Sequence, residues 1–501
     1  LPEPAWGNAY AGETRHILDW LYGINLSRAL MSAIKTTGNF KVLSIGRVQG
    51  PALKIIVDRE KEISEFKPEP FWQVFAHVKG IILKHPKDIF DEKELEKFKN
   101  LKEGEAETKK SEEKIPPPHP FDLTTLQREA YRLYKMNPSE ALQIAQHLYL
   151  DGLISYPRTS SQKIPKEIEP KKILKALEKN FPETKHASRP APIEGKKTDP
   201  AHPSIYPTGE FKQLAGKEEK LYTLIAKRFI SAFSQDAKTA NKKIILTSQT
   251  KDGSVAFTAS GLAVLEKGWT SVYPIIIEEF SLPDMNDMQQ IEKIDIQQKE
   301  TSPPNRYTPA SLVTLLEKKN LGTKATRSMI IETLFERGYL DGRSIQATAL
   351  GMKLIEALEK YSSIIIDENL TRQLEEDMEK IQESTNDLLK KEQEVVSKAK
   401  HIIEDIAKEF KVNEREIGLT LLKGIEEIRR EEQQSNTLMP CPLCKQGMLR
   451  ILYSKKSRRY FVACNKYPEC KQTYSLPPNA LIKKSGTQCP ADQFSKLLAI
   501  R

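Results

Sequence analysis

The clearest helical pattern in the chain lies directly before a tyrosine. Apolar side chains recur there at the spacing of one helical face: Ala141, Ile144, Ala145 and Leu148. Asn137 is a favourable N-cap residue, Pro138 suits the first helical position, and Asp-Gly at 151–152 is a stop signal. The pattern predicts a helix and then a short strand at 153–154, and Tyr156 comes directly after that strand.

Two stretches alternate between apolar and polar positions, as half-buried strands do. One covers residues 71–84, and the other covers residues 241–260, with a hairpin turn at 251–253. Residues 121–235, between these stretches, are mostly helical in pattern. This order predicts a helical domain inserted into a β-rich arm, whereas residues 86–114 are charged and poor in apolar side chains and should form a surface excursion.

Helical periodicity returns outside the arm, at residues 12–35, 51–63 and 307–400. A heptad-like, highly charged region at 366–436 is typical of long surface helices whose charged side chains face water. A chain of 501 residues has room for about three or four domains. The pattern therefore predicts a multidomain α+β protein.

The charge of the chain narrows its class of partner. A formal net charge of +10 favours a nucleic acid or another polyanion. The alternative is the solvated, Lys- and Glu-rich surface of heat-adapted proteins, which 29% charged residues fits as well. No apolar run approaches the roughly 20 residues of a membrane span, and no signal-peptide pattern occurs, so we expect a cytoplasmic protein without a membrane partner.

The run Tyr156-Pro157-Arg158 carries the candidate chemistry. A lone tyrosine at a strand end is usually a half-buried aromatic side chain. Beside a guanidinium it could instead be a nucleophile, because Arg158 could hold a phosphate in line and stabilise its developing charge. Phenolate attack on a phosphodiester exchanges one ester for another, so the bond energy is kept without a nucleotide cofactor. These three residues alone leave both interpretations open.

Two further loops contain candidate phosphate contacts. His202 lies among prolines that favour an extended backbone, and it is either a structural histidine or a partner for a phosphate or a proton. Residues 46–51, Gly-Arg-Val-Gln-Gly-Pro, precede a predicted helix, and such a loop suits a phosphate backbone. A loop of this kind more often simply precedes an ordinary helix and binds no phosphate.

Four of the five cysteines cluster near the end of the sequence. Cys441 and Cys444 form a Cys-x2-Cys pair, and after 19 residues Cys464 and Cys470 form a Cys-x5-Cys pair. This spacing predicts a zinc ribbon with four thiolate ligands in an intracellular protein, in preference to a disulfide framework. Cys489 stands apart from the two pairs.

The segment between the two cysteine pairs predicts a basic hairpin. Its strands should cover 449–453 and 459–462, and its turn region is rich in cations: Lys455, Lys456, Arg458 and Arg459. The neighbouring Tyr453, Tyr460 and Phe461 could stack on bases while the cations contact phosphates. We expect this hairpin to bind a single nucleic-acid strand.

Taken together, five blocks in this order resemble the type IA DNA topoisomerases, most closely their archaeal branch. The blocks are Leu-Asp-Trp-Leu-Tyr-Gly-Ile-Asn-Leu-Ser-Arg-Ala-Leu at 18–30, Gly-Arg-Val-Gln at 46–49, Ser-Tyr-Pro-Arg-Thr at 155–159, Ala-His-Pro-Ser-Ile-Tyr-Pro-Thr at 201–208, and Gly-Thr-Lys-Ala-Thr-Arg at 322–327 with Arg-Gly-Tyr at 337–339. The resemblance spans nearly all of the chain and includes the ribbon. It implies a multidomain α+β torus, with helical DNA-gate domains that contain winged-helix-like units, a β-rich arm and a C-terminal zinc ribbon.

The resemblance also implies roles for individual residues. Tyr156 matches the tyrosine that attacks single-stranded DNA and forms a 5′-phosphotyrosine, Arg158 matches the arginine that clamps the scissile phosphate, and His202 lines the same catalytic site. Seven residues fall where the family contacts DNA: Arg15, Arg47, Gln49, Thr159, Lys324, Thr326 and Arg337. The implied activity is ATP-independent relaxation of negative supercoils through cleavage, strand passage and religation, with the tyrosine domain swinging on the arm.

One part of the family pattern has no match. The family begins with a Toprim domain that carries a catalytic glutamate and an Asp-x-Asp-x-Glu site for Mg²⁺, and no such run occurs here. The chain resembles a member without that N-terminal domain, and Mg²⁺ would be bound through the missing half. We expect a monomer, associated with the nucleoid, that binds DNA, preferentially single-stranded, and relaxes supercoils poorly by itself.

Two alternatives stay open at this point. The chain could be the topoisomerase half of a reverse gyrase, which would need a helicase partner because no P-loop occurs here, or a catalytically inactive single-strand-binding fragment. The predicted segments are the end of a Toprim-proximal region at 1–36, a gate domain at 37–70 and 303–436, the β-rich arm at 71–115 and 239–302, the catalytic tyrosine domain at 116–238, and the four-cysteine ribbon with its tail at 437–501.

Overall fold

The computed structural model describes residues 6–251, 253–454, 456–491 and 494–500. The chain divides into two compact units. The first unit consists of the residues up to Val57, Leu334–Asp341 and the residues from Gln346 onward, and the second consists of Asp58–Thr333 and Gly342–Ile345. Helices and sheets both contribute extensively, which confirms the mixed α+β class.

The described residues form twelve α-helices. They are α1 (Trp6–Lys35), α2 (Gln49–Glu65), α3 (Leu123–Tyr134), α4 (Pro138–Leu150), α5 (Pro170–Leu177), α6 (Gly216–Ala232), α7 (Pro309–Lys318), α8 (Arg327–Glu336), α9 (Ala349–Tyr361), α10 (Glu368–Glu383), α11 (Leu388–Val412) and α12 (Glu414–Asn436). Each region whose periodicity predicted helix contains helices.

Strands occupy fifteen segments of the described residues. They are β1 (Pro70–Val78), β2 (Ile81–Lys84), β3 (Glu103–Ile115), β4 (Ala237–Thr250), β5 (Gly253–Glu266), β6 (Asp287–Gln290), β7 (Lys293–Glu300), β8 (Leu340–Asp341), β9 (Gln346–Ala347), β10 (Thr437–Pro440), β11 (Met448–Ser454), β12 (Arg459–Cys464), β13 (Thr473–Ser475), β14 (Leu481–Gln488) and β15 (Ser495–Ile500). The largest sheet lies in the second unit and has the order β6-β3-β4-β5-β2-β1-β7. Its neighbouring strands are antiparallel.

Two predictions for this sheet need correction. Residues 71–84 form the hairpin β1–β2 instead of one strand, because Lys79 and Gly80 both adopt positive φ angles, 49° and 74°, and reverse the chain. Residues 86–114 are not merely a surface excursion, because they contain all of β3 except Ile115, and β3 pairs with β4 from Glu105 to Ile115. The hairpin predicted at 251–253 joins β4 to β5, and its central Asp252 lies outside the described residues.

Helices α3 to α6 pack around one core in the second unit. Its large aromatic members are Phe121, Phe181, Tyr222, Phe229, Phe233, Trp269 and Tyr273. Helix α4 begins at Pro138 as predicted, but the Asn137 side chain makes no capping hydrogen bond. Asp122 instead caps α3, where its carboxylate accepts a 2.7 Å hydrogen bond from the backbone N–H of Thr125.

In the first unit, α1 packs against α10, α11 and α12. Its buried stripe repeats every four residues: Leu18, Tyr22, Leu26 and Leu30. Ile24 is 37% exposed because it lies outside this stripe. Close backbone approach requires glycine at two contacts, since a Cβ on Gly7 would lie 2.3 Å from the carbonyl oxygen of Gln382, and a Cβ on Gly418 would lie 2.1 Å from that of Ala33.

The C-terminal cysteines lie in a four-stranded sheet of order β10-β11-β12-β13. Strands β11 and β12 form the predicted hairpin, with Leu449 opposite Cys464 and Tyr453 opposite Tyr460. Lys455, in the turn, lies outside the described residues. The separate hairpin β14–β15 was not predicted, and its Ile482 joins the core of the ribbon. No described helix combines the length and the apolarity that crossing a membrane requires.

Candidate active site

Tyr156 lies in a loop that is held against a second loop of the same unit. We call residues 155–161 the tyrosine loop and residues 199–205 the histidine loop. An antiparallel bridge joins Ile154 to Pro207 just outside the two loops. Within them, the Ser155 hydroxyl donates a 2.9 Å hydrogen bond to the carbonyl oxygen of Ser204. These contacts place residues that are distant in the sequence side by side, since Ser155 and Ser204 are separated by 49 residues.

The phenol of Tyr156 is half-buried between two other rings. The imidazole of His202 lies 4.6 Å from it, centroid to centroid, at an interplanar angle of 50°. The ring of Tyr149, near the end of α4, lies 5.2 Å away in an edge-on arrangement. The tyrosine and the histidine singled out from the sequence therefore share one site.

Arg158 and Thr159 continue the tyrosine loop. The Nε of Arg158 is buried and has no hydrogen-bond partner among the described residues. Thr159 is 1% exposed, and its hydroxyl donates a 3.2 Å hydrogen bond to the carbonyl oxygen of His202. A buried guanidinium donor without a partner suits an oxyanion, because leaving it unpaired carries a free-energy cost that a bound phosphate would remove.

Asp199 connects both loops to a lysine from a third segment. Its side chain is 1% exposed, and its Oδ2 accepts 3.0 Å hydrogen bonds from the N–H and the hydroxyl of Ser160. The Oδ1 atom accepts from the N–H groups of Ala201 and His202, at 3.1 and 3.2 Å. Lys324, in the loop before α8, forms an ion pair with Oδ2. Burial alone would raise the pKa of Asp199, but the bonds from Lys324, Ser160 and Ala201 hold that pKa well below its ordinary value.

A second ion-paired lysine lies in the same part of the chain. Lys197 bonds to the buried Asp122 at 3.2 Å and to Glu317 of α7 at 2.7 Å. The Lys324 and Lys197 pairs therefore both join residues 303–333 to the segment that carries Tyr156. The predicted DNA contact Thr326 lies near Lys324, and its hydroxyl accepts a 3.0 Å hydrogen bond from the N–H of Thr323.

The four paired cysteines converge on one point. Their sulfur atoms all lie within 4.8 Å of one another. The Cys441–Cys470 and Cys444–Cys464 sulfurs are 3.8 and 3.7 Å apart, which matches the edge of about 3.8 Å that four sulfurs form around Zn²⁺ with Zn–S bonds of about 2.3 Å. Bonds from the backbone N–H groups of Gln446 and Gly447 lower the pKa of the Cys444 thiol to about 6, which favours the thiolate. The quartet can hold a metal ion such as Zn²⁺.

Comparison with known proteins decides the family. A family model described as DNA topoisomerase matches residues 4–393. The chain is 43% identical to DNA topoisomerase 1 of Methanocaldococcus jannaschii, over 97% of this chain and 64% of the relative. It is 42% identical to DNA topoisomerase 1 of Pyrococcus horikoshii, over 97% of this chain and 73% of the relative. The chain belongs to the type IA DNA topoisomerase family.

The fold of the family is also seen in a solved structure. Full-length topoisomerase I from Thermotoga maritima matches 96% of this chain and 78% of its own, with a TM-score of 0.62 and 24% sequence identity. The chain spans about two thirds of the length of the two curated relatives, 64% and 73%. The type IA fold expected from the sequence is therefore confirmed.

The remaining predicted DNA contacts of this family member lie in the first unit, and several are already paired. Arg47 is buried, and its guanidinium bonds to Asp19 at 3.0 Å and to Glu375 at 2.8 Å. Arg15 bonds to the same Glu375 at 3.2 Å. These guanidinium groups would have to leave or share their carboxylates to contact DNA, so their assigned role stays a prediction.

Two further predicted contacts in the first unit have different surroundings. The Nε of Arg337 donates a 2.7 Å hydrogen bond to the hydroxyl of Ser44. The Oε1 of Gln49 is buried and has no hydrogen-bond partner among the described residues. An unpaired acceptor of this kind is available to a ligand that donates a hydrogen bond.

The family's magnesium site is not provided by the residues that the structure describes. Among them, the group of His, Cys, Asp or Glu side chains found with metal-binding geometry is the cysteine quartet. The sequence holds no Asp-x-Asp-x-Glu run.

Sequence reasoning missed the acidic residues of the site. Asp199 lies two residues before the 201–208 block, and Asp122 and the basic Lys197 were not singled out either. A local signal for Asp199 existed, since an aspartate followed by Pro200 often bonds to the backbone N–H groups that come after it. Its bonds to Ser160 and Lys324 depend on the tertiary fold and have no local signature.

Proposed function

We propose that this chain carries the tyrosine and DNA-binding machinery of a type IA topoisomerase reaction. In that reaction a single DNA strand is cut through Tyr156, another strand passes through the break, and the cut strand is rejoined. The observation that best supports this proposal is the pairing of the Tyr156 and His202 rings next to Arg158, whose buried Nε lacks a partner. We propose that the seven segments predicted from the sequence are the functional divisions of the chain.

In the proposed cleavage step, the phenolic oxygen of Tyr156 attacks the phosphorus of a DNA phosphodiester. A bond forms between that oxygen and phosphorus, and the bond between phosphorus and O3′ breaks. The phenol loses one proton, the departing O3′ gains one, and the new 5′-phosphate end of the DNA stays on the tyrosine. Religation is the reverse attack by the 3′ hydroxyl. Because one phosphate ester replaces another, neither direction needs ATP.

The side chains around the tyrosine have distinct tasks in this proposal. Arg158 donates its unpaired N–H groups to the non-bridging oxygens of the phosphate and stabilises the charge that develops there. His202 covers one face of the phenol and offers an imidazole for proton exchange. Lys324 borders the two loops, and its ammonium group, which has three N–H donors, can contact the DNA backbone while it pairs with Asp199. The Thr159 hydroxyl already donates to the carbonyl oxygen of His202, so it has a part in holding the loops together.

The C-terminal ribbon has a separate part in the proposal. We assign one structural Zn²⁺ to the cysteine quartet, because its sulfur spacing and number fit tetrahedral thiolate ligation. The β11–β12 hairpin presents Tyr453, which is 51% exposed, with its ring 4.9 Å from that of Tyr460. Next to Arg458 and Arg459, these rings suit stacking on the bases of a single strand.

A second candidate function is single-strand binding without cleavage. It is favoured because residues 1–501 contain no Asp-x-Asp-x-Glu run, so that, when they are assayed on their own, they supply the tyrosine loop without that acidic motif. Both candidates predict that the chain binds single-stranded DNA and that it relaxes supercoiled DNA poorly by itself. They differ in whether a covalent DNA adduct forms.

The deciding experiment is a denaturing gel with labelled single-stranded DNA and Mg²⁺. Tyr156→Phe removes the proposed nucleophile, and Tyr149→Phe is the matched control because it removes the hydroxyl of the neighbouring ring. An adduct that persists in Tyr149→Phe and disappears in Tyr156→Phe supports cleavage by Tyr156. An adduct that survives Tyr156→Phe contradicts it, and no adduct at all, with normal binding, favours the second candidate.

Binding is measured in parallel by fluorescence anisotropy across a salt series. Arg158→Ala should weaken binding about 10-fold or more, and it should reduce the slope of log K against log salt by about 0.7, the value of one phosphate contact to a single strand. Arg158→Lys keeps the charge but not the planar fork of donors, so it should restore the slope more fully than the affinity. Absence of single-strand binding by the unmodified chain would contradict both candidate functions.

A further inference from the structure

Asp199 has an unusual combination of burial and contacts for a carboxylate beside a reactive tyrosine. Its side chain is 1% exposed, yet it accepts hydrogen bonds from four groups in the two loops and pairs with Lys324. A buried charge of this kind is stable only if its bonding partners are held in place around it. The carboxylate therefore holds its partners in place, just as the partners hold the carboxylate in place.

The two oxygens of the carboxylate act on different loops. Oδ1 bonds to the N–H groups of Ala201 and His202, so it fixes the backbone from which the imidazole projects. Oδ2 bonds to the N–H and hydroxyl of Ser160, two residues after Arg158. The carboxylate at the start of the histidine loop is therefore bonded both to the later backbone of its own loop and to the tyrosine loop.

We propose that Asp199 is a positioning residue for the cleavage site, because its two oxygens hold the backbone of His202 and hold Ser160, which follows Tyr156 and Arg158 in the tyrosine loop. This inference rests on the proposed function for its catalytic meaning. Asp199 does not need to touch DNA in this role, since its oxygens are occupied by the chain itself. Lys324 neutralises the carboxylate, and the ion pair ties the two loops to residues 303–333.

A second lysine allows the positioning of the two loops to be distinguished from the simple attachment of residues 303–333. Lys197 also joins residues 303–333 to the segment that carries Tyr156, through Glu317, but none of its bonds is to the tyrosine loop or the histidine loop. Its side chain is 44% exposed, compared with 34% for Lys324. Lys197→Met is therefore a matched control that removes a comparable ion pair and leaves Asp199 in place.

The test is NMR of the histidine rings in the whole chain. The sequence contains eight histidines, and we expect the Tyr156 ring, 4.6 Å away, to shift the His202 resonance from that of a solvent-exposed histidine. His119 and His147 belong to the same segment and serve as internal references. In Asp199→Ala we expect the His202 signal to move toward that of a solvent-exposed histidine and to broaden, while the two reference signals stay in place.

The control variants make the expected result specific. Lys197→Met should leave the His202 signal unchanged, and so should Lys324→Met, because the Oδ1 bonds to the histidine loop remain. An unchanged His202 signal in Asp199→Ala, or an equal shift in Lys197→Met, would overturn the proposal.

A general loss of structure in Asp199→Ala would be recognised by movement of all three histidine signals. In that case Asp199→Asn decides, since the amide has one acceptor oxygen and leaves one of the two loops without a partner. The proposal then requires the Ser160 amide or the His202 ring to move alone, and it fails if neither does. Single-strand binding by the unmodified chain, measured alongside, tests the proposed function independently of this result.

Discussion

The rings of Tyr156 and His202 lie 4.6 Å apart, and among the residues that the structure describes the histidine is bonded through its backbone and not through its ring nitrogens. The N–H of His202 donates to Asp199, and its carbonyl oxygen accepts from the hydroxyl of Thr159. The ring itself is left to contact the phenol. This division allows the ring to be changed without dismantling the loop that carries it.

Replacing the His202 ring should therefore have a modest effect on stability. His202→Ala should lower the free energy of unfolding by about 1 kcal/mol, the scale of one aromatic pair, because the backbone bonds remain. His202→Phe keeps a ring against Tyr156 and should recover most of that loss, but it cannot exchange a proton. Urea unfolding checks the prediction, and a loss in His202→Phe equal to that in His202→Ala would contradict it.

The pH dependence of stability should contain a contribution from Asp199. Burial by itself would raise the pKa of Asp199 above its ordinary value of 3.8. The bonds from Lys324 and from the loops outweigh burial and hold this pKa below the ordinary value. A depressed pKa stabilises the folded state above the ordinary value and loses that effect as the pH falls through the folded-state value. The difference in unfolding free energy between the unmodified chain and Asp199→Asn should be constant from pH 7 to about 4.5 and should shrink at lower pH. A difference that grows on acidification would contradict this assignment.

The sequence predicted elements whose signals are local. The helix before Tyr156 was predicted because its apolar stripe, its proline start and its Asp-Gly stop lie within one short segment. Strand β3 was missed because its burial is confined to Gly104 and Ala106, so its pairing is imposed by β4 and not by an alternating pattern of its own.

The candidate site also contains some residues with a local sequence signal and others without one. Tyr156 and Arg158 are neighbours in one motif and were recognised together. Asp199 lies 39 residues from Ser160 and 125 from Lys324 in the sequence, so its role depends on contacts that only the folded chain creates. A buried carboxylate cannot be distinguished from a surface one when its partners are this distant.

Two glycines of α1 should respond in opposite directions to alanine. A Cβ on Gly7 would lie 2.3 Å from the carbonyl oxygen of Gln382 in α10, whereas a Cβ on Gly12 would meet nothing within 4 Å. Gly7→Ala should destabilise the first unit by about 1–3 kcal/mol through overpacking, and Gly12→Ala should stabilise it by about 0.5–1 kcal/mol through its higher helix propensity. Chemical unfolding of both variants is the measurement, and equal effects would show that α1 does not pack closely on α10.

The proposed zinc site in the cysteine quartet can be tested by substitution, with the fifth cysteine, Cys489, as the control. Each of the four thiols supplies one corner of the proposed zinc site, so Cys444→Ser should reduce bound zinc well below one ion per chain and should loosen the ribbon. Cys489 lies outside the quartet, and its backbone N–H bonds to the carbonyl oxygen of Phe494, so Cys489→Ser should retain the full zinc content. Zinc is quantified by elemental analysis of the purified chain, with amide protection in β11 and β12 as a second measurement.

A chelator should reproduce the Cys444→Ser result in the unmodified chain. Loss of zinc should remove protection from β11 and β12, while the seven-stranded sheet of the second unit should be unaffected because its core contains none of the cysteines.

If Cys489→Ser lowers the zinc content as strongly as Cys444→Ser, the metal is not held by the quartet alone. If chelation leaves the ribbon protected, its hydrophobic core, built around Leu449, Ile451 and Val462, is sufficient to hold the hairpin without a metal.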